Sequence, residues 1–80
     1  MPKFLLDHRH EADECAVVFA SWRGFTSPLR HHATVGTCPT GGHAIWWQID
    51  AEGEDEALGQ LPRYVAERTT ATQISEVVIP

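Results

Sequence analysis

The hydrophobic pattern of the chain centres on residues 41–50, which it predicts to be the central strand of a small sheet. Side chains alternate between the two faces of a strand, so the adjacent Trp46 and Trp47 point in opposite directions. Ile45 and Ile49 share the face of Trp47 and make it wholly apolar, which suits cover by helices. The face of Trp46 is mixed, and it suits a ligand or a second subunit.

Two segments have helical periodicity. Apolar residues recur at three- and four-residue spacing after an acidic cluster, and they predict a first helix over 12–23 that ends near Gly24. A second acidic run at 54–56 predicts the start of a second helix. Because Pro62 cannot donate the hydrogen bond that a helix interior requires, we expect two short helices that meet there, with Pro62 first in the second.

The remaining segments have β character. Residues 4–9 predict a first strand, 33–38 a weaker second one, and 73–79 a last one, while 39–42 carry strong turn signals. The element order is therefore strand, helix, strand, strand, helix, strand. Right-handed crossovers place the first and third strands side by side in an antiparallel sheet with the helices on one face, which is a ferredoxin-like α+β fold.

A family resemblance follows from the element order, the length, the paired tryptophans Trp46 and Trp47, and the ending Glu76-Val77-Val78-Ile79-Pro80. In these features the whole chain resembles the small ferredoxin-like proteins of the dimeric α+β barrel class. That class contains uncharacterised families, cofactor-independent monooxygenases, muconolactone isomerase-like enzymes and a nickel-binding family. The resemblance implies a homodimer joined through the open sheet face.

Composition narrows the function. The chain has 80 residues, which predicts one domain. A net charge of −5 with six Lys and Arg argues against nucleic acid, whose binding requires many neutralised phosphates. No stretch is long enough to span a bilayer, and the N-terminal apolar run is too short for a signal sequence, so we expect a cytoplasmic protein without a membrane partner. Cys15 and Cys38 form no CxxC pair, and Cys15 is expected to be buried and inert.

The strongest candidate chemistry is a metal site. His8 and His10 share one strand face, and antiparallel pairing brings the end of strand one beside His43. Cys38, at the end of strand two, is expected at the same edge. His8, His10, His43 and Cys38 therefore form a predicted ligand set for Zn, Ni or Cu. Asp7 and Glu11 are expected to orient the imidazoles.

Two alternatives stay open. One is an enzyme acting on a small organic molecule, with an aromatic pocket of Trp22, Phe25, Trp47 and Tyr64 between helices and sheet. Its general base would be His8 or His43, and an anionic group would bind to Arg9 or Arg68. The other is a structural dimer without a ligand, in which the histidines only form ordinary hydrogen bonds. His31 and His32 are expected to be surface residues in either case.

Overall fold

The computed structural model describes all 80 residues, and its centre is a four-stranded antiparallel sheet. The strands lie in the order β2-β3-β1-β4. Their bounds are β1 Lys3–Arg9, β2 Val35–Gly36, β3 Ala44–Asp50 and β4 Thr69–Ile74. The prediction that the first and third strands are antiparallel neighbours is confirmed, with His8 opposite Ile45. The protein is therefore an α+β protein with an antiparallel sheet.

The first helix is shorter than the predicted range 12–23. A 3₁₀ turn at Ala12–Glu14 leads into α1, which spans only Cys15–Ala20, and turns then run to Gly24 at φ 74°. The Ser21 hydroxyl donates to the Val18 carbonyl at 2.7 Å. Such a local side-chain bond competes with helix continuation, and the β-branched and aromatic run before it favours the helix little.

The second helical region divides as predicted. Helix α2 spans Glu54–Leu58 and begins with the acidic run, and α3 spans Arg63–Ala66. Pro62 is the residue that precedes α3, not its first helical residue. Leu61 and Val65 are buried, so the break between the two helices turns both of these side chains towards the sheet.

The last strand lies earlier than the predicted range 73–79. Strand β4 ends at Ile74, which pairs with Lys3, the first residue of β1. Beyond this point β1 offers no further partner, and the residues after Ile74 have no regular structure. Val78 is 95 % exposed, so the apolar run 77–79 does not contribute to the core. The second strand is also shorter than the predicted 33–38.

The core lies between the helices and one face of the sheet. The predicted apolar row on the face of Trp47 is confirmed, because Ile45, Trp47 and Ile49 are all buried. Leu6 from β1 and Val18 from α1 are completely buried and pack in the same cluster. Each such aliphatic side chain stabilises the fold by about 1.5–3 kcal/mol. None of the helices combines the length and the apolar character that a bilayer crossing requires.

A carboxylate fixes the start of α1 against α3. Glu14 accepts hydrogen bonds from the backbone N–H of Glu11, from the Tyr64 hydroxyl at 2.8 Å, and from Nε of Arg68 at 2.6 Å. The Arg68 guanidinium also lies 3.7 Å from the centre of the Tyr64 ring. These bonds favour the ionised form and lower the pKa of Glu14 to about 2, with the Glu11 N–H as the largest cause.

Because its folded-state pKa is depressed, Glu14 contributes stability that is fully present above its usual pKa of 4.5 and is lost as the pH falls towards 2. We therefore expect Glu14→Gln to lower the thermal midpoint most above pH 5, and the gap to wild type to close as the pH approaches 2. Thermal unfolding followed by circular dichroism across this range measures the gap. Glu76→Gln, in the exposed tail, is the control, and a gap that does not change with pH would contradict the assignment.

Candidate metal centre

Three soft donor atoms meet at the end of the sheet where β1 finishes and β3 begins. Nε2 of His10 lies 3.3 Å from Sγ of Cys15, and that sulfur lies 3.2 Å from Nδ1 of His43. All three atoms fall within 4.8 Å of one another. His10 is buried, while Cys15 and His43 are half-buried. The group is a candidate metal centre of two imidazoles and one thiol.

His10 and His43 are held together by the backbone of the sheet. The N–H of His10, one residue beyond β1, donates to the carbonyl of His43 at 3.0 Å, one residue before β3. The pairing of the two strands thus continues one step past their ends. The two rings lie 5.5 Å apart between centroids as a result. Their separation is set by the sheet rather than by a flexible loop.

The hairpin between β2 and β3 sets the position of His43. Gly41 has φ 89°, which an L side chain rarely adopts. A Cβ added to Gly42 would collide with the side chain of Thr37. The Thr37 hydroxyl oxygen accepts the Ala44 N–H at 3.1 Å, which closes the hairpin next to His43. Both glycines are therefore needed to bring this imidazole to the site.

Cys15 reaches the site through a change of chain direction. The 3₁₀ turn at Ala12–Glu14 reverses the chain after β1, and Cys15 is the first residue of α1. It lies three residues before the buried Val18, so it shares the helix face that packs on the sheet. The Glu14 contacts to Tyr64 and Arg68 hold this end of α1 in place.

A chain of hydrogen bonds stands behind His10. The Thr69 hydroxyl donates to the Val65 carbonyl at 2.7 Å, so its oxygen is left to accept from Nδ1 of His8 at 3.1 Å. Nε2 of His8 lies 2.9 Å from Nδ1 of His10. We infer the tautomers from this order: neutral His8 carries its proton on Nδ1 and accepts from Nδ1–H of His10. Neutral His10 then turns the lone pair of Nε2 towards Cys15.

The protonation state of His8 agrees with these tautomers. His8 is completely buried, and burial lowers its pKa, with the nearby His10 lowering it further. A neutral imidazole has one donor and one acceptor, and the two neighbours of His8 use both. His8 thus fixes the ring of His10 in the manner of the outer partners of known metal-bound histidines.

The two sulfur–nitrogen distances are close to those around a tetrahedral ion. With metal–sulfur and metal–nitrogen bonds of the usual lengths, sulfur and nitrogen ligands stand roughly 3.5 Å apart. The two measured sulfur–nitrogen separations, 3.3 and 3.2 Å, are within a few tenths of an ångström of that value. His10 and His43 also line a cleft of about 700 Å³ together with Arg9 and Thr40. The cleft gives a fourth position access from outside.

Only part of the predicted ligand set comes together in the structure. The structure brings together His10 and His43, and it places His8 behind His10, on Thr69, rather than among the three donors. Cys38 lies elsewhere, in the 3₁₀ turn Cys38–Thr40, and packs against the core beside Ile45.

Cys15 occupies the position that was predicted for Cys38, and it is half-buried rather than buried. Its sulfur contacts two imidazoles. The sequence signal that could have identified Cys15 is its position five residues after a strand-end histidine, with an acidic turn between them.

The other predicted residues have different positions. Asp7 lies on the opposite face from His8 and pairs with Arg9 at 3.1 Å, which lowers its pKa, and Glu11 is exposed. Thr69, not a carboxylate, contacts His8.

The predicted aromatic pocket is only partly formed. Trp22 and Trp47 line one cavity, with their rings 5.8 Å apart, but Tyr64 contacts Glu14 and Arg68 outside it. Phe25 is also absent from the lining, so the cavity contains two of the four predicted aromatic residues.

Neither the family models, nor the curated proteins, nor the solved structures include a match to this chain.

Proposed function

We propose that this protein binds a divalent transition metal, Zn²⁺, Ni²⁺ or Cu²⁺, through His10 Nε2, Cys15 Sγ and His43 Nδ1. The observation that carries the proposal is the convergence of three soft donors from three separate elements within 4.8 Å. Two imidazoles with one thiolate form a ligand set that suits these ions. His10 and His43 also line the cleft, which would leave room for a water or an exchangeable ligand on the ion.

The hydrogen bonds from Thr69 through His8 to His10 support metal binding over a simple hydrogen bond between His10 and Cys15. Without an ion, the thiol of Cys15 donates to the lone pair of His10, and Nδ1–H of His43 donates to the sulfur. Binding of the ion would release the thiol proton to solvent and move the His43 proton from Nδ1 to Nε2, because only the thiolate and an unprotonated ring nitrogen are ligands. The imidazole of His10 needs no rearrangement, since its lone pair already points at the site.

The first test is a calorimetric titration of the apo protein with Zn²⁺, accompanied by Co²⁺ spectra that report a thiolate ligand. We expect binding that weakens as the pH falls, because protons compete for the thiolate and the imidazoles. Cys15→Ser should remove the thiolate-to-cobalt band and weaken Zn²⁺ binding at least tenfold, by rough analogy with lost outer partners. His43→Ala should weaken Zn²⁺ binding in the same way.

The chain supplies matched controls for each variant. Cys38→Ser removes the other cysteine, and His32→Ala removes a histidine outside the centre, so both should bind Zn²⁺ like wild type. The proposal fails if Cys15→Ser keeps the cobalt–thiolate band, or if Cys38→Ser abolishes it. Titrations with Ni²⁺ and Cu²⁺ then rank the three ions.

Thr69 provides a separate test of the chain that orients His10. Thr69→Val keeps the shape of the side chain but removes the oxygen that accepts from His8. We expect roughly 10–100-fold weaker Zn²⁺ binding, since loss of an outer partner usually has this effect. The cobalt–thiolate band should persist at saturating Co²⁺, because all three ligands remain. Thr70→Val, on the opposite face of the same strand, should have no effect on affinity.

We also propose that the chain adopts the ferredoxin-like topology and pairs with a second copy through the open sheet face. The strand order β2-β3-β1-β4, with one helical region before β2 and another before β4, supports the topology. The open face carries Leu5 and Trp46, and Val35 stands directly opposite Trp46. Val35 is 69 % exposed, and a second sheet would cover it.

Sedimentation velocity tests the pairing. Wild type should sediment with about twice the chain mass of 8.9 kDa, and Val35→Glu should shift it to a monomer by burying a charge in the interface. Val17→Glu, at an exposed apolar position on α1 away from this face, should stay dimeric. A wild type that is monomeric at its highest soluble concentration would contradict the pairing without affecting the metal proposal.

A further inference from the structure

A second cavity lies on the helical side of the sheet, away from the metal centre. It has a volume of about 320 Å³, and none of His10, Cys15 and His43 lines it. Its apolar wall comes from α1, the turn after it, the loop before β2, and β3, with Phe19, Trp22, Leu29, Ile45 and Trp47. Small-molecule sites in proteins begin at about this size, so the cavity fits a compact ligand.

The lining of the cavity includes one permanent cation, Arg30, and no acid. Arg30, His31 and His32 line the rim of the cavity in succession, and no Asp or Glu does. Arg30 uses one N–H for the Phe25 carbonyl at 3.3 Å and forms no ion pair with a carboxylate. A guanidinium has five N–H donors in a planar fork that matches a carboxylate. In a chain with eleven acidic and six basic side chains, a rim without acids concentrates positive charge at this cavity.

The loop that carries the rim is anchored. The Ser27 hydroxyl donates to the Gln60 carbonyl at 2.7 Å and accepts the Leu29 N–H at 3.1 Å. His31 has φ 65°, the one positive φ outside glycine, which places it in a tight turn of this loop. A rim held in this way loses little freedom when a ligand binds.

We propose that this cavity binds a small monocarboxylic acid with an aromatic or branched aliphatic body. The body packs against Trp22 and Trp47, whose tilted rings lie 5.8 Å apart, and the carboxylate accepts hydrogen bonds from Arg30. Charge-assisted bonds to a guanidinium are the strong kind, so they select the acid over a neutral molecule of the same shape. The metal centre takes no part in this binding.

The test compares 3-phenylpropionate with its neutral counterpart 3-phenylpropan-1-ol. Both are titrated into the full-length protein with a chelator present, so that no carboxylate binds a metal, and tryptophan fluorescence with ligand-observed NMR reports binding. We expect the acid to bind roughly tenfold more tightly than the alcohol, as one charge-assisted hydrogen bond provides.

Two variants separate the roles of charge and apolar wall. Arg30→Gln should reduce the affinity for the acid to that for the alcohol and leave the affinity for the alcohol unchanged. Arg63→Gln, at an exposed position on α3, is the control and should bind both ligands like wild type. Phe19→Ser should weaken the binding of both ligands, and this variant should fold because Phe19 is 53 % exposed. Equal affinity of acid and alcohol in wild type, no binding of either up to the solubility limit, or an unchanged Arg30→Gln would each overturn the proposal.

Discussion

Two imidazoles buried beneath the helices are the constraint on which much of this structure depends. His8 is completely inaccessible and His10 nearly so, on the face of β1 that also carries Phe4 and Leu6. A buried polar group without a partner is costly, by about 1–3 kcal/mol for a neutral one. The fold meets this demand in full, because no buried side-chain nitrogen or oxygen lacks a hydrogen-bond partner.

The partners come from parts of the chain that are far apart in sequence. Thr69 begins β4 and contacts His8, Cys15 begins α1 and contacts His10, and His43 precedes β3. Thr69 links His8 to the backbone carbonyl of Val65, and the sulfur of Cys15 contacts His10 at the other end of the same network. The hydrogen bonds that provide partners for the buried rings also align the candidate ligands, so stability and metal binding depend on the same atoms.

The sequence predicted the parts of this arrangement that follow from strand geometry. Alternation placed His8 and His10 on one face, and antiparallel pairing brought His43 beside them, because both rules need only the strand positions. Cys15 escaped prediction because its position depends on a short 3₁₀ turn that a helical stripe does not reveal. Cys38 was expected at this edge, but β2 is only two residues long and its turn directs Cys38 to the core. The tail 77–79 was apolar enough for a strand, yet β1 offers no pairing beyond Lys3.

A metal at this centre would also change the energetics of the whole domain. An 80-residue chain buries a modest share of its surface, so its free energy of unfolding is small. The centre joins the end of β1, the six-residue helix α1 and the β2–β3 hairpin. An ion that binds only the folded chain adds RT ln(1 + [M]/Kd), about 2.7 kcal/mol at a hundredfold excess over Kd. That amount is a large fraction of the stability of a domain this small, and so the ion would act as a cross-link between elements as well as a bound ligand.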